Sequence, residues 1–97
     1  MSQVFFSQAA ISDIEQIWDY THDRWGVDQA ERYTKELRAG CQDLALGRKF
    51  GRPVVGKVGY LRMAIGRHVV FFKEQGSGIK VIRILHQRMD VESRLGD

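Results

Sequence analysis

Residues 61–86 read LRMAIGRHVVFFKEQGSGIKVIRILH, and this stretch decides the fold. Leu61, Met63 and Ile65 alternate with Tyr60, Arg62 and Ala64, the period-two pattern of a strand covered on one face. Gly66-Arg67 is a tight-turn candidate leading into His68–Lys73. The continuous apolar run Val69-Val70-Phe71-Phe72 marks a central strand buried on both faces. Glu74–Gly78 supplies a second turn with two glycines, and Ile79–His86 is a last strand rich in β-branched residues. Three consecutive strands joined by short turns predict an antiparallel meander.

Upstream the period changes from two to near four. Val4-Phe5-Phe6 reads as a short first strand, with Ser7 placed to cap the helix that follows. Ile11, Ile14, Ile17, Trp18, Thr21 and Trp25 form one helical stripe, with Asp13, Glu15, Asp19 and Asp23 on the remaining faces. Gly26 ends this helix. Asp28, with Glu31 three residues on, suggests a capping box for a second helix, whose stripe is Ala30, Tyr33, Leu37, Cys41 and Leu44, closed by Gly47. So short a link makes the helices an antiparallel hairpin over residues 8–46. Arg48–Lys57, punctuated by Gly51, Pro53 and Gly56, reads as a loop. The expected fold is therefore α+β: a short strand, a two-helix hairpin, then a three-stranded meander, as one domain over residues 1–97.

At 97 residues the chain has room for one core, burying roughly 60–65 % of its unfolded surface. The charge is divided along it. Residues 1–47 carry eight acids against four bases, a net −4; residues 48–97 carry eleven bases against four acids, a net +7. A cationic half points to an anionic partner or to solvated strand faces. No apolar run approaches the ~20 residues of a membrane span, and Met1-Ser2-Gln3-Val4 shows no export signal, so a cytoplasmic protein is expected. The single Cys41 lies on the helical stripe and reads as a core thiol. His22, His68 and His86 are too dispersed to propose a metal site, and no glycine-rich phosphate loop precedes a helix, so neither metal nor cofactor is expected.

Two residues in the last strand invite chemical readings. Arg83, set in an apolar pattern, needs a partner: an acid of the hairpin such as Asp13 or Glu15, or an external anion, with the structural ion pair favoured. His86, at the strand end, is either a general acid/base or a group satisfying the backbone there. In a regular strand Arg83 shares a face with Ile79, Val81 and Leu85, while His86 lies on the opposite face with Lys80, Ile82 and Ile84.

Several segments together carry a family resemblance: Ala10, Asp13, Ile14 and Ile17–Tyr20; Trp25-Gly26 with Gln29-Ala30 and Tyr33; Leu44-Ala45; Gly51-Arg52; Leu61-Arg62; Gly66 with His68–Phe71; and Ile82-Arg83-Ile84-Leu85-His86-Gln87-Arg88-Met89-Asp90. Over nearly its whole length the sequence resembles the ParE branch of the RelE/ParE toxins of bacterial toxin–antitoxin modules. The resemblance implies a toxin that inhibits DNA gyrase without being an enzyme. It also implies neutralisation by a ParD-like antitoxin whose disordered segment folds on binding, in hetero-oligomers that reach the operator through the antitoxin rather than by direct binding of the toxin to nucleic acid. Candidate target contacts are His86, Gln87, Arg88 and Arg94; candidate antitoxin contacts are Trp18, Trp25, Tyr33, Arg62 and Arg67. The sister RelE-like branch, a ribosome-dependent mRNA endoribonuclease, would use Arg62, Arg83 and His86. Against it, no tyrosine follows the last strand and the loop lysines are only Lys49 and Lys57. An inactive relative that only binds antitoxin is a third reading.

Overall fold

The structure, a computed structural model, describes residues 3–88. Strand β1 (Val4–Phe6) leads into helices α1 (Gln8–Trp25) and α2 (Val27–Ala45). There follow β2 (Arg52–Pro53), β3 (Leu61–Ile65), β4 (His68–Gln75) and β5 (Gly78–His86). The helices cover one face of a five-stranded sheet ordered β1-β5-β4-β3-β2. The expected class and the β3-β4-β5 meander are present. The sheet adds two edges: β1 joins β5 in parallel, and β2, inside the segment read as loop, pairs antiparallel with β3.

Between the helices the link is Gly26 alone, at φ 90°, a conformation that glycine adopts without steric cost. Asp28 therefore already lies in the first turn of α2 and makes no side-chain cap, so the expected capping box is absent. Its other member, Glu31, instead accepts a hydrogen bond from Trp18 Nε1 at 2.8 Å and ties the two helices together. On α1 the buried stripe is Ala10, Asp13, Ile14, Ile17 and Thr21, one position out of phase with part of the expected set; Ile11 and Trp25 are exposed. On α2, Ala30, Leu37, Cys41 and Leu44 are buried as the pattern predicts. Burial pushes the Cys41 thiol up to about 11, so it is a protonated core group near neutral pH.

The last strand departs from regular alternation. Phe71 stands opposite Arg83 and Phe72 opposite Val81, leaving Ile82 as an extra residue in β5. This bulge reverses the faces beyond it. Ile84 joins Ile79 and Val81 in the core under the helices, whereas Leu85 packs with Val69 and Phe71 on the other side of the sheet. Arg83 and His86, expected on opposite faces, both meet groups on the helix side.

The disturbed backbone at the bulge is satisfied by side chains from the start of the chain. Ser7 Oγ donates to the Ile82 carbonyl at 2.6 Å while accepting from the Ala10 N–H at 3.0 Å, so one hydroxyl caps α1 and fixes it to β5. Asp13 Oδ2 accepts from the Ile84 N–H at 2.9 Å and from Arg83 Nε at 2.8 Å, and Oδ1 accepts from Arg83 Nη2 at 2.8 Å. A buried carboxylate needs such pairing. Of the two acids considered for Arg83, Asp13 is the one it meets.

A candidate docking groove beside the helical hairpin

At the end of the sheet where β3 turns into β4, the two helices and β5 enclose a groove of about 910 Å³. Its wall includes Ile17, Tyr20 and Trp25 from α1, Tyr33 from α2, Arg67 and His68 from the turn and start of β4, and His86 from β5. Tyr20 and Trp25 are each 57 % exposed, although large aromatic side chains seldom stand that far into solvent without a partner. Arg24 lies over both rings, at 5.1 Å from the Tyr20 centroid and 5.9 Å from that of Trp25.

The floor is a hydrogen-bonded chain. The Arg67 N–H donates to Tyr33 Oη at 3.0 Å, and Tyr33 Oη lies 2.6 Å from His68 Nδ1. A phenol that accepts one bond has its single proton free for the other, and burial raises the Tyr33 pKa, keeping that proton in place. Tyr33 donates to His68 Nδ1 in the tautomer that carries the ring proton on Nε2, and accepts from Nδ1–H in the other. Burial pushes His68 down to about 4, helped by nearby His86 and opposed by Asp13. The His86 ring meets His68 edge-on at 5.5 Å, and His86 Nδ1 accepts from the Arg88 N–H at 3.2 Å. Gly66 completes the turn at φ +58°, and a Cβ there would stand 2.8 Å from Tyr33 Oη. Only glycine lets the turn sit this close to α2.

Of the expected antitoxin contacts, Trp25, Tyr33 and Arg67 line this groove. Trp18 lies beside it on α1, stacked on His22 at 5.0 Å and bonded to Glu31. Arg62 lies across the sheet, over the Phe71 ring at 5.7 Å. Of the expected target contacts, His86 closes one end of the groove, and Gln87 and Arg88 follow it as exposed residues. Gln87 is held by its N–H to the Arg67 carbonyl at 3.1 Å. Arg94 lies outside the described residues. The three residues that a nuclease would need are dispersed: Arg62 on one face, Arg83 paired to Asp13, and His86 in the groove. No cluster of three or more metal-ligating side chains occurs among the described residues. No helix there is long and apolar enough to cross a membrane. The sequence alone did not reveal Tyr20 or His68 as wall residues. Tyr20 falls outside the apolar stripe, and His68 opens an apolar strand with no sign of its tyrosine partner.

Comparison with known proteins agrees with this architecture. Residues 4–91 match the family described as the ParE toxin of the type II toxin–antitoxin system parDE. Toxin ParE1 of Mycobacterium tuberculosis is 44 % identical over 96 residues, covering 97 % of this chain and 98 % of that protein. Toxin ParE1 of Caulobacter vibrioides is 41 % identical over 91 residues, covering 93 % and 94 %. Among solved structures, a chain of the chromosomal ParDE system from P. aeruginosa superposes with a TM-score of 0.77 at 19 % identity, covering 89 % of this chain and 96 % of that one. A chain of the RelB–RelE antitoxin–toxin complex from Methanococcus jannaschii gives 0.55 at 16 %, covering 87 % and 91 %, and these two likenesses concern the fold. The chain belongs to the ParE family of toxins of type II toxin–antitoxin systems.

Proposed function

We propose that the protein arrests growth by binding DNA gyrase, and that a ParD-like antitoxin neutralises it by laying an apolar segment in the groove beside the helical hairpin. The observation that carries the antitoxin part is the pair of half-exposed rings, Tyr20 and Trp25, above a floor already rigid through Arg67, Tyr33 and His68. A preformed wall with aromatic anchors suits a disordered segment that folds on docking, because the ordering cost then falls on one partner. His86 closes the groove and roots Gln87 and Arg88, so a segment filling the groove covers the residues assigned to the target. Neutralisation is then steric occlusion. The protein works in the cytoplasm, where gyrase is found, and joins its antitoxin in a hetero-oligomer.

Action without catalysis is supported by the dispersal of Arg62, Arg83 and His86, since an acid/base pair must converge on one reacting atom. The test is a supercoiling assay with purified protein and DNA gyrase, beside an mRNA-cleavage assay on translating ribosomes. Loss of supercoiling with intact transcripts is expected. Cleaved transcripts with unimpaired supercoiling would overturn the proposal and favour the nuclease branch.

A further inference from the structure

The face of the sheet turned away from the helices has a charge arrangement that folding does not explain. Arg52 of β2 stands directly opposite Arg62 of β3, and Lys73 of β4 directly opposite Lys80 of β5. Directly opposed residues of an antiparallel pair project from the same face with Cβ atoms about 5 Å apart, where like charges destabilise. Phe71 and Leu85 of the far-side cluster fix that face, for Arg62 pairs with Phe71 and Lys73 lies two residues beyond it. Residues 48–88 contain one acid, Glu74, and no carboxylate pairs with any of these four cations among the described residues. Two are held by aromatic rings: Lys73 Nζ is 4.4 Å from the Tyr60 centroid and Arg62 Cζ 5.7 Å from that of Phe71. The result is a cationic band crossing four strands, about 14 Å at the usual strand spacing.

The segment between β2 and β3 lies at the end of this band. Val54 packs on the far-side cluster beside Tyr60, and the Val54 N–H bonds the Tyr60 carbonyl at 2.9 Å, so the loop is pinned to the sheet. Nearby it presents Val55 and Val58 at 98 % and 99 % exposure, with Phe50 at 81 % just before β2. Unpaired cations alone would suit any polyanion. Three almost fully exposed apolar side chains find no counterpart on a phosphate backbone. Within the band Phe71 is buried and Tyr60 is covered by Lys73, so the exposed rings, Phe5 beside Lys80 and Phe50 before β2, lie only at its two ends. We infer that the far face of the sheet, from Lys80 to Val58, docks an extended acidic polypeptide segment that also carries apolar side chains, as a surface separate from the groove. Carboxylates at alternate positions of such a segment lie about 6.7 Å apart on one side, within reach of successive cations of the band.

The test uses fluorescence anisotropy with a labelled 12-residue peptide bearing four Asp at alternate positions followed by Leu-Leu. Its controls are the same peptide with Asn for Asp, and a 12-nucleotide oligothymidylate. The intact chain should bind the acidic peptide and not the Asn peptide. Arg52→Gln with Lys80→Gln removes one member of each opposed pair, and Val55→Ser with Val58→Ser removes the apolar contact; each should weaken binding about tenfold. Trp25→Ala, in the groove, should leave it unchanged. The Arg52/Lys80 variant should melt no lower than the parent, which separates lost binding from lost folding. Failure of the acidic peptide to bind, equal binding by the variants, or displacement of the peptide by oligothymidylate would overturn the inference. A lowered melting temperature in the Arg52/Lys80 variant would remove its premise.

Discussion

The two faces of the sheet follow opposite rules. On the helix side every polar group that meets the core has a matched partner: Asp13 with Arg83 and the Ile84 N–H, Tyr33 with His68 and the Arg67 N–H, Ser7 with Ile82 and Ala10. Across the sheet, four cations stand in two opposed like-charged pairs. Matched groups hold the fold together; opposed ones weaken it slightly and make sense only toward a partner. Substitutions on the helix side should therefore act mainly on stability, and those on the far side mainly on binding.

The largest effect is expected at Asp13. Asp13→Ala takes the bidentate carboxylate from Arg83 and the acceptor from the Ile84 N–H together, and should cost about 3 kcal/mol by urea unfolding. Adding Arg83→Met should recover part of that loss, because the guanidinium that lost its carboxylate disappears with it. No recovery would mean that the ion pair is not what the bulge depends on.

The two hairpin turns come next, since Gly66 and Gly76 share φ +58° but differ in surroundings. Gly66→Ala meets the Tyr33 ring as well as the backbone penalty, whereas a Cβ at Gly76 has nothing within 4 Å. A cost of about 2–3 kcal/mol at Gly66 against about 1 at Gly76 is expected. Equal costs would show that the groove end of the sheet is not braced by α2.

A smaller, pH-dependent effect belongs to His68. Its pKa is about 4 in the fold against the ordinary 6.5, so between those values the unfolded chain binds the extra proton. Stability from this group is full above pH 6.5 and is lost as pH falls toward 4. Complete conversion of that displacement would be about 3 kcal/mol; solvent access to the half-buried ring reduces it to about 1–2. His68→Gln should flatten this slope in unfolding curves measured between pH 4 and 7. Smallest of all, Arg52→Gln with Lys80→Gln on the far face should change stability by less than about 0.5 kcal/mol, in the stabilising direction.

Much of this was legible in the sequence, and what was not has physical causes. The α2 stripe, the meander and the central strand follow from hydrophobic period, whereas on α1 the same period placed Ile11 and Trp25 inside and they stand exposed. Arg83 declared its need for an acid because an unpaired guanidinium in an apolar strand is costly. The bulge at Ile82 was invisible, since one extra residue leaves local composition unchanged while moving every later side chain to the other face. That hid the meeting of His86 with His68, and with it the groove. Strand β2 was hidden because two residues ending in Pro53 carry no periodic signal, and the capping box was misread because Gly26 starts the second helix one residue early.

The most direct test is the affinity of the cognate antitoxin for Trp25→Ala and Arg62→Gln, measured side by side by calorimetry. Both side chains are exposed, so both variants should fold and differ only in the face they alter. With the antitoxin seated in the groove, Trp25→Ala should weaken binding at least tenfold, about 1.4 kcal/mol, while Arg62→Gln leaves it within twofold. Full affinity in Trp25→Ala, with loss in Arg62→Gln, would contradict the account and place the antitoxin on the far face.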